Sequence, residues 1–426
     1  MKKSKLPAIL CLGLVFLMAF TACNKNSGSS SGSASGEKIE LVYWSNWNTT
    51  ESQGRVMTDA IKEFEAANPG VKISVVNNGR ENRKVVLPAL EAGQQVDLMD
   101  QNIDFAIRTW KDYLLNMDEY YKKSFPSTGN KTLQEALLPM YVDLTRSKDA
   151  NSAAYGIPYQ PNTWGIMYNK DHFAKAGITK TPETWAEFLD VCAKLKAAGF
   201  IPITTDDAYA DIWFGFHLCR YKGSDWVDGL VNGRNSWDDP QVLQALRDFE
   251  NLAKNGYMPA TVSANIWPAG QQEIALGEVS MYLNGTWLPN EVMATAGKDF
   301  PWGAFKYPSV PGGTDDNGAT VVGSQIMCVN KNTKHPDMAV AFAAFIATGK
   351  YDQIMSEQTY AIPMDQSNKW PKQLEDAKSI FEGFTKRYPA STTIRNNPDK
   401  NSLIKEEFVK LIGGKVTPAQ FVSAMK

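Results

Sequence analysis

The sequence predicts an α/β fold. Strand and helix patterns alternate near its start, the alternation resumes past residue 155, and the length suffices for two cores. From Glu37 onward, 390 residues run without a second long apolar segment, and chains of that size usually divide into two domains. Ile39-Glu40-Leu41-Val42-Tyr43-Trp44 is rich in strand formers, and Val56, Ala60, Ile61 and Phe64 then recur at helical spacing. Asn68-Pro69-Gly70 stops that helix, and Val71, Ile73 and Val75 alternate as a second strand. Another helix runs to about Gly93, and Val96-Asp97-Leu98-Met99 makes a short third strand. This βαβαβ run favours a parallel sheet with helices on both faces. Residues 164–168 make a further strand, and Thr184-Trp185-Ala186-Glu187 is a capping box opening a helix that Gly199 ends. Asp239-Pro240 opens another helix, ending at Gly256.

The N-terminus precedes this pattern. Lys2, Lys3 and Lys5 are followed by an uncharged run over residues 6–22 and by Cys23, which reads as an export signal removed at 1–22 and not as a retained span. In 24–36, nine of thirteen residues are Ser or Gly, a flexible tether reaching roughly 20 Å. A cysteine followed at once by such a tether resembles the lipobox of bacterial lipoproteins, which implies lipidation at Cys23 and a place on the extracellular face of the cell membrane. Removing 1–22 takes the formal charge from -2 to -5 over 404 residues. Charge that mild and spread argues against nucleic acid or an anionic surface as a partner.

Catalytic motifs are nearly absent: HExxH, the Walker lysine motif and the glycine-rich dinucleotide fingerprint are all missing. Gly28-Ser29-Ser30-Ser31-Gly32 matches GxSxG formally but lies in the tether, without the strand-turn-helix that strains such a serine. His172, His217 and His335 are scattered, and neither they nor Cys192, Cys219 and Cys328 have metal-ligand spacing, so no metal and no cofactor is expected. Cys192 and Cys328 sit in apolar runs and read as buried thiols. Asp206-Asp207, Asp238-Asp239 and Asp315-Asp316 could each supply a carboxylate for glycoside hydrolysis, but Asp238-Asp239 fits a helix N-cap and Asp315-Asp316 a turn.

Aromatics are the positive signal. Twelve tryptophans and sixteen tyrosines exceed what cores require. Trp110, Trp185 and Trp370 read as core. Others fall just past strands: Trp44 and Trp47 after the first, Tyr209 and Trp213 after Pro202-Ile203-Thr204-Thr205, Trp287 after Asn284-Gly285-Thr286, and Trp302 after Pro301. In open α/β sheets such positions face the ligand crevice, and an indole face matches the C–H face of a pyranose.

Residues 168–178, Tyr-Asn-Lys-Asp-His-Phe-Ala-Lys-Ala-Gly-Ile, followed by Pro182-Glu183-Thr184-Trp185-Ala186-Glu187-Phe188, resemble the extracellular solute-binding proteins (family 1) of carbohydrate ABC importers, the maltose-binding-protein group. Tyr155-Gly156-Ile157-Pro158-Tyr159, Leu276 to Trp287, Met327 to Phe345 and Ala361-Ile362-Pro363 fit its other blocks in order. The resemblance implies a periplasmic-binding-protein-like fold of type II, two α/β lobes joined by three hinge crossings. Residues 37–158 plus 326–360 would form the N-terminal lobe and 159–325 plus 361–426 the C-terminal one. It implies ligand contacts at Asp104, Asn162, Trp164, Asp207, Tyr209, Trp213 and Trp287, beside Trp44, Trp47 and Trp302 from the strand-end reading. The implied protein is no enzyme but a monomer that captures a sugar, hands it to permease subunits with their ATPase, and touches the membrane only through its lipid.

Two rivals stand beside it: a surface glycoside hydrolase or lyase using Asp207, and the same fold holding a polyamine. Few arginines fall at the candidate loops, with Arg80, Arg220 and Arg395 the exceptions, which argues against a phosphate or sulfate ligand.

Overall fold

Alternation of strand formers at the head of the domain sets one edge of the sheet. In the computed structural model, which describes residues 38–426, Ile39–Ser45 forms β1 and turns Leu41 and Tyr43 into the core. The export signal, Cys23 and the tether lie outside the described residues. β2 (Val71–Asn77) runs parallel to β1, with Ile39 opposite Val71 and Ser45 opposite Asn77. Between them α1 (Ser52–Ala67) presses Phe64 edge-on against Phe342 of the helix Pro336–Ala347 at 5.2 Å between ring centres. Asn68 stops α1 by donating its side-chain amide to the Phe64 carbonyl at 2.8 Å, and Gly70 turns the chain at φ 102°. Then come α2 (Asn82–Glu91), β3 (Leu98–Asn102) and α3 (Ile103–Trp110).

β3 sits about two residues later than the apolar pattern suggests. The Asp97 carboxylate accepts from the Val42 amide at 2.8 Å and from Thr333 Oγ1 at 2.6 Å, so a side chain occupies the ladder position there. Pairing continues instead through Asp100, Gln101 and Asn102, polar residues that face Met327, Ile326 and Gln325.

The remaining strands are β4 (Ile157–Asn169), β5 (Ile201–Thr204), β6 (Val279–Gly285), β7 (Trp302–Phe305), β8 (Ala319–Val329) and β9 (Lys386–Tyr388). They extend the order to β2-β1-β3-β8-β4-β6-β5, with β7 on β4 and β9 on β8. Parallel pairing holds within β2-β1-β3 and β5-β6, as βαβ connections require. β4 and β8 pair antiparallel with each other and with β3, β6 and β7, while the short β9 joins β8 in parallel. The sheet is therefore mixed.

Two large cores lie on either side of this antiparallel pair. One gathers Leu41, Tyr43, Phe64, Ile157 and Phe342, and the other Trp185, Phe188, Trp213, Phe249 and Phe408. The helix Trp185–Ala197 opens on the expected capping box, the Glu187 amide reaching Thr184 Oγ1 at 3.3 Å and the Thr184 amide reaching Glu187 at 3.1 Å. The chain passes between the cores along β4 and along β8, and a third passage between Met364 and Leu374 leads from the first core to a smaller cluster holding Tyr282, Trp302 and Ile380. On β4 the register shifts between Tyr159 and Asn162, and Gln160 takes φ 46° in that bulge. Its amide donates to Thr359 Oγ1 at 2.9 Å, one residue before Tyr360, which also has φ 46°. The third passage is pinned by buried Asp352, which accepts from the Met364 and Asp365 amides at 2.8 and 3.0 Å.

Cys192, Cys219 and Cys328 are free and buried, and burial pushes each thiol well above its ordinary pKa. Among the described residues no helix is long and apolar enough to cross a membrane.

Candidate functional site

The carboxyl ends of β1, β2 and β3 in one half and of β5 and β6 in the other lead into loops on the two sides of the β4–β8 pair. On the first side, a buried acid fixes the loop after β1. Asp100 Oδ1 accepts from the Asn46 amide at 2.7 Å, and its other oxygen takes a short hydrogen bond from the Tyr159 hydroxyl. Tyr159 Oη in turn accepts from Trp47 Nε1 at 2.8 Å, so Trp47, Tyr159 and Asp100 form one buried chain. Arg80 covers the Trp47 ring at 4.7 Å and donates to the Asn46 carbonyl at 2.7 Å and Glu51 at 2.7 Å. Trp47 is therefore at the loop, but its face is already stacked. Trp44 packs half-buried beside the cluster of Ile103 and Trp110 and does not join it.

Burial raises the Asp100 carboxyl from 3.8 to about 6, against Tyr159, Asn46, Tyr43 and Arg80, which lower it. Folding thus favours the protonated acid. Its contribution to stability is present below the unfolded value and is lost as pH rises through the folded one, a change of about 3 kcal/mol. Asp100→Asn keeps an acceptor for Asn46 but cannot ionise. Its stability relative to wild type should grow between about pH 4 and about pH 6, as read by urea unfolding at stepped pH. Parallel profiles for the two proteins would refute this.

On the second side, Trp164, Tyr209 and Trp287 come together. Trp164 meets Trp287 edge-to-face at 5.0 Å and Tyr209 at 5.7 Å, and Tyr209 meets Tyr282 at 6.3 Å. Trp164 is buried, while Tyr209 and Trp287 are half-buried and present surface. Gly285 makes this possible: a Cβ there would lie 2.1 Å from the Trp287 ring, so the indole rests directly on the backbone. The turn is fastened to β4, the Thr286 amide donating to the Thr163 carbonyl at 2.9 Å. Beside it, Asn284 is fully buried and its side-chain nitrogen has no protein partner.

The acids have structural partners. Asp206 is fully buried and accepts from the Gly270 and Gln271 amides at 2.6 and 3.2 Å and from Tyr282 Oη at 2.6 Å. Asp207, half-exposed, accepts from the Trp267 amide at 2.8 Å. Asp104 is held by Arg387 through two contacts of 2.9 and 2.8 Å. The half-buried Asn162 side chain lies against Gly323 of β8, where a Cβ would stand 3.3 Å from Asn162 Oδ1 and 4.0 Å from Asn102 Nδ2. Asn102 and Asn162 thus both flank Gly323 of the crossing strand.

Two expected contacts are corrected. Trp213 is 0% exposed, edge-on to Phe249 at 5.4 Å and Phe408 at 6.0 Å, because its helix Ala210–Lys222 buries twelve of its thirteen residues and has no open face. Trp302 is 3% exposed and packs on Phe300 at 4.3 Å, its β7 strand lying against β4. Both are core. Sequence reasoning missed Trp267, which is 46% exposed beside Asp207. Its position ahead of Pro268 in a polar loop was the available signal. It also missed Glu291, which accepts from Gln271 at 2.6 Å. Glu291 is solvent-accessible yet crowded by protein, and this desolvation pushes its carboxyl to about 7, against Gln271 and Arg80, which lower it. Arg80 belongs to the opposite half, so a charge from the first set of loops is felt at the second.

Residues 59–382 match the profile of the bacterial extracellular solute-binding proteins. The chain is similar to the multiple sugar-binding protein of Streptococcus mutans, with 26% identity over 362 residues, 80% of this chain and 78% of that one. It is similar to the galactooligosaccharide-binding protein of Bacillus subtilis, with 22% identity over 381 residues, 86% and 82% of the two chains. Its fold matches that of a chitin oligosaccharide binding protein with a TM-score of 0.69 and 20% identity, covering 92% of this chain and 98% of the other.

Proposed function

The chain belongs to the bacterial extracellular solute-binding proteins, and from that premise we propose that it captures an oligosaccharide in the crevice and delivers it intact to the permease of an ABC importer. The observation that carries this reading is the Trp164–Tyr209–Trp287 group, its Trp287 ring resting on Gly285 and Asn284 beside it, with Asn162 two residues from Trp164. Apolar ring faces beside amide donors and acceptors suit a pyranose, which is apolar on its C–H faces and polar at its rim. Capture at micromolar affinity corresponds to about -8 kcal/mol, within reach of a few stacked rings and several hydrogen bonds.

Of the ten residues expected to touch ligand, Trp213 and Trp302 are core, and Trp44, packed beside Ile103 and Trp110, is not proposed at the sugar. Trp164, Tyr209, Trp287, Asn162 and Asp207 are proposed at the sugar, with Trp267 added. Trp47 is proposed as a support held by Tyr159, and Asp104 as a brace to Arg387. The two halves correspond to lobes that rotate about the crossings, and a ligand favours closure only by binding the closed form better. Cys23 is proposed as the lipid anchor holding a monomer at the extracellular face of the membrane.

Hydrolysis fits poorly. Asp207, the acid that reading relies on, is occupied by a backbone amide, and Asp104 is bound by arginine. Calorimetric titration of the mature chain with neutral and acidic di- to tetrasaccharides tests the proposal. Heat of binding without new reducing ends is expected. Sustained release of reducing ends, or silence toward every saccharide, would defeat it.

A further inference from the structure

Five arginines far apart in sequence gather around the crevice. Arg80 and Arg83 lie in the loop after β2 and the start of α2, Arg108 lies on α3, and Arg387 and Arg395 follow from the C-terminal segment. Three are neutralised one for one: Arg80 by Glu51 at 2.7 Å, Arg387 by Asp104 at 2.8 Å and Arg395 by Asp211 at 2.6 Å. Arg83 and Arg108 make no ion pair among the described residues. Their guanidinium groups flank one side chain, Phe105, at 5.5 and 5.8 Å from its ring centre. Arg83 is aimed by a hydrogen bond from Nε to Gln101 Oε1 at 3.2 Å, and Gln101 is itself held by Asn46 at 2.9 Å.

These charges share one space. Arg83 is solvent-accessible yet crowded by protein, which lowers its pKa, and the charges of Arg80, Arg108 and Arg395 lower it further. Arg395 also donates to the carbonyl of Ala208, next to Tyr209. Glu291 also has no cation partner among the described residues, and its raised pKa leaves it only partly ionised at neutral pH. The mature chain as a whole is negative, so the local excess of cations is not a general surface bias.

We propose that the saccharide taken here is anionic, carrying a carboxylate, sulfate or phosphate that Arg83 and Arg108 receive beside Phe105. The inference rests on the crevice being a carbohydrate site. A neutral sugar closing over Arg83 would strip water from a cation and return nothing for it. An anionic group restores what is lost, and a guanidinium fork grips carboxylate, sulfate and phosphate oxygens in pairs. The linear reading set such ligands aside because Arg83 and Arg108 do not stand directly after strands. Folding turns α2 and α3 so that both meet at Phe105.

The test is calorimetric titration of the mature chain with digalacturonate and trigalacturonate, a sulfated disaccharide, neutral saccharides of the same lengths, and inorganic phosphate alone. An acidic saccharide is expected to bind at least about tenfold more tightly than its neutral counterpart, a preference that shrinks as salt is raised. Arg83→Gln should cut that preference about tenfold, and Arg83→Lys, which keeps charge but loses the fork, should restore only part of it. Both side chains are exposed, so unchanged melting temperatures are expected to accompany the loss. Neutral saccharides binding as tightly as acidic ones would overturn the inference and leave sugar capture standing. Phosphate alone matching the acidic saccharides would overturn it in favour of a free-anion site. Silence toward all saccharides would remove both readings together.

Discussion

Trp213→Ala is expected to lower the unfolding free energy by about 3–5 kcal/mol while saccharide affinity, measured on the folded fraction, changes little. The indole is completely enclosed, with Phe249 and Phe408 edge-on to it and its helix buried on all sides. Alanine would leave a cavity that these rings cannot fill without leaving their own packing, so both the transfer loss and the void count against the fold. Urea unfolding followed by intrinsic fluorescence reads the first quantity and calorimetry the second. Collapse of affinity with stability intact would mean that Trp213 touches the guest after all.

The second large effect concerns the turn after β6. Trp287→Ala should weaken saccharide binding at least tenfold, a loss of about 1.4 kcal/mol or more, with the melting temperature nearly unmoved, because the ring is only half-buried. Gly285→Ala should do comparable damage without deleting the indole. A methyl group there would stand 2.1 Å from the ring, which must leave its seat over the backbone. The pair is more informative than either variant alone. If Trp287 merely filled space, Gly285→Ala would act through stability. If it stacks on a sugar, both variants lose affinity at similar melting temperature. Unaltered calorimetric affinity in both would remove Trp287 from the site.

Much of the fold was legible because its signals are local. The β1–α1–β2 unit, the Asn68-Pro69-Gly70 stop and the Thr184 capping box each depend on residues within a few positions of one another. β3 is displaced because Asp100, Gln101 and Asn102 do not look like strand residues, yet all three pair with β8, and Asp100 and Gln101 are buried to hold Asn46 and Tyr159. The mixed sheet was likewise hidden, since β4 and β8 pair across more than 150 residues. Position after a strand singled out Tyr209 and Trp287, and the family resemblance added Trp164, but neither signal says which way a side chain turns. Trp213 and Trp302 satisfy the same rule and face inward. The arginines escaped notice for the opposite reason. Arg83 and Arg108 lie within helices, and Arg395 lies some three hundred residues further on, so only the folded chain brings their charges into conflict.

The three enclosed sulfur atoms give the molecule a built-in clock. Cys328 lies under Trp110 in one half, whereas Cys192 and Cys219 lie in the aromatic core of the other. With their thiolates suppressed, a maleimide or disulfide reagent finds nothing to attack until the surrounding half opens. Modification rates at Cys328 and at the other pair therefore time the opening of each half separately. They would show whether the two come apart together or in turn.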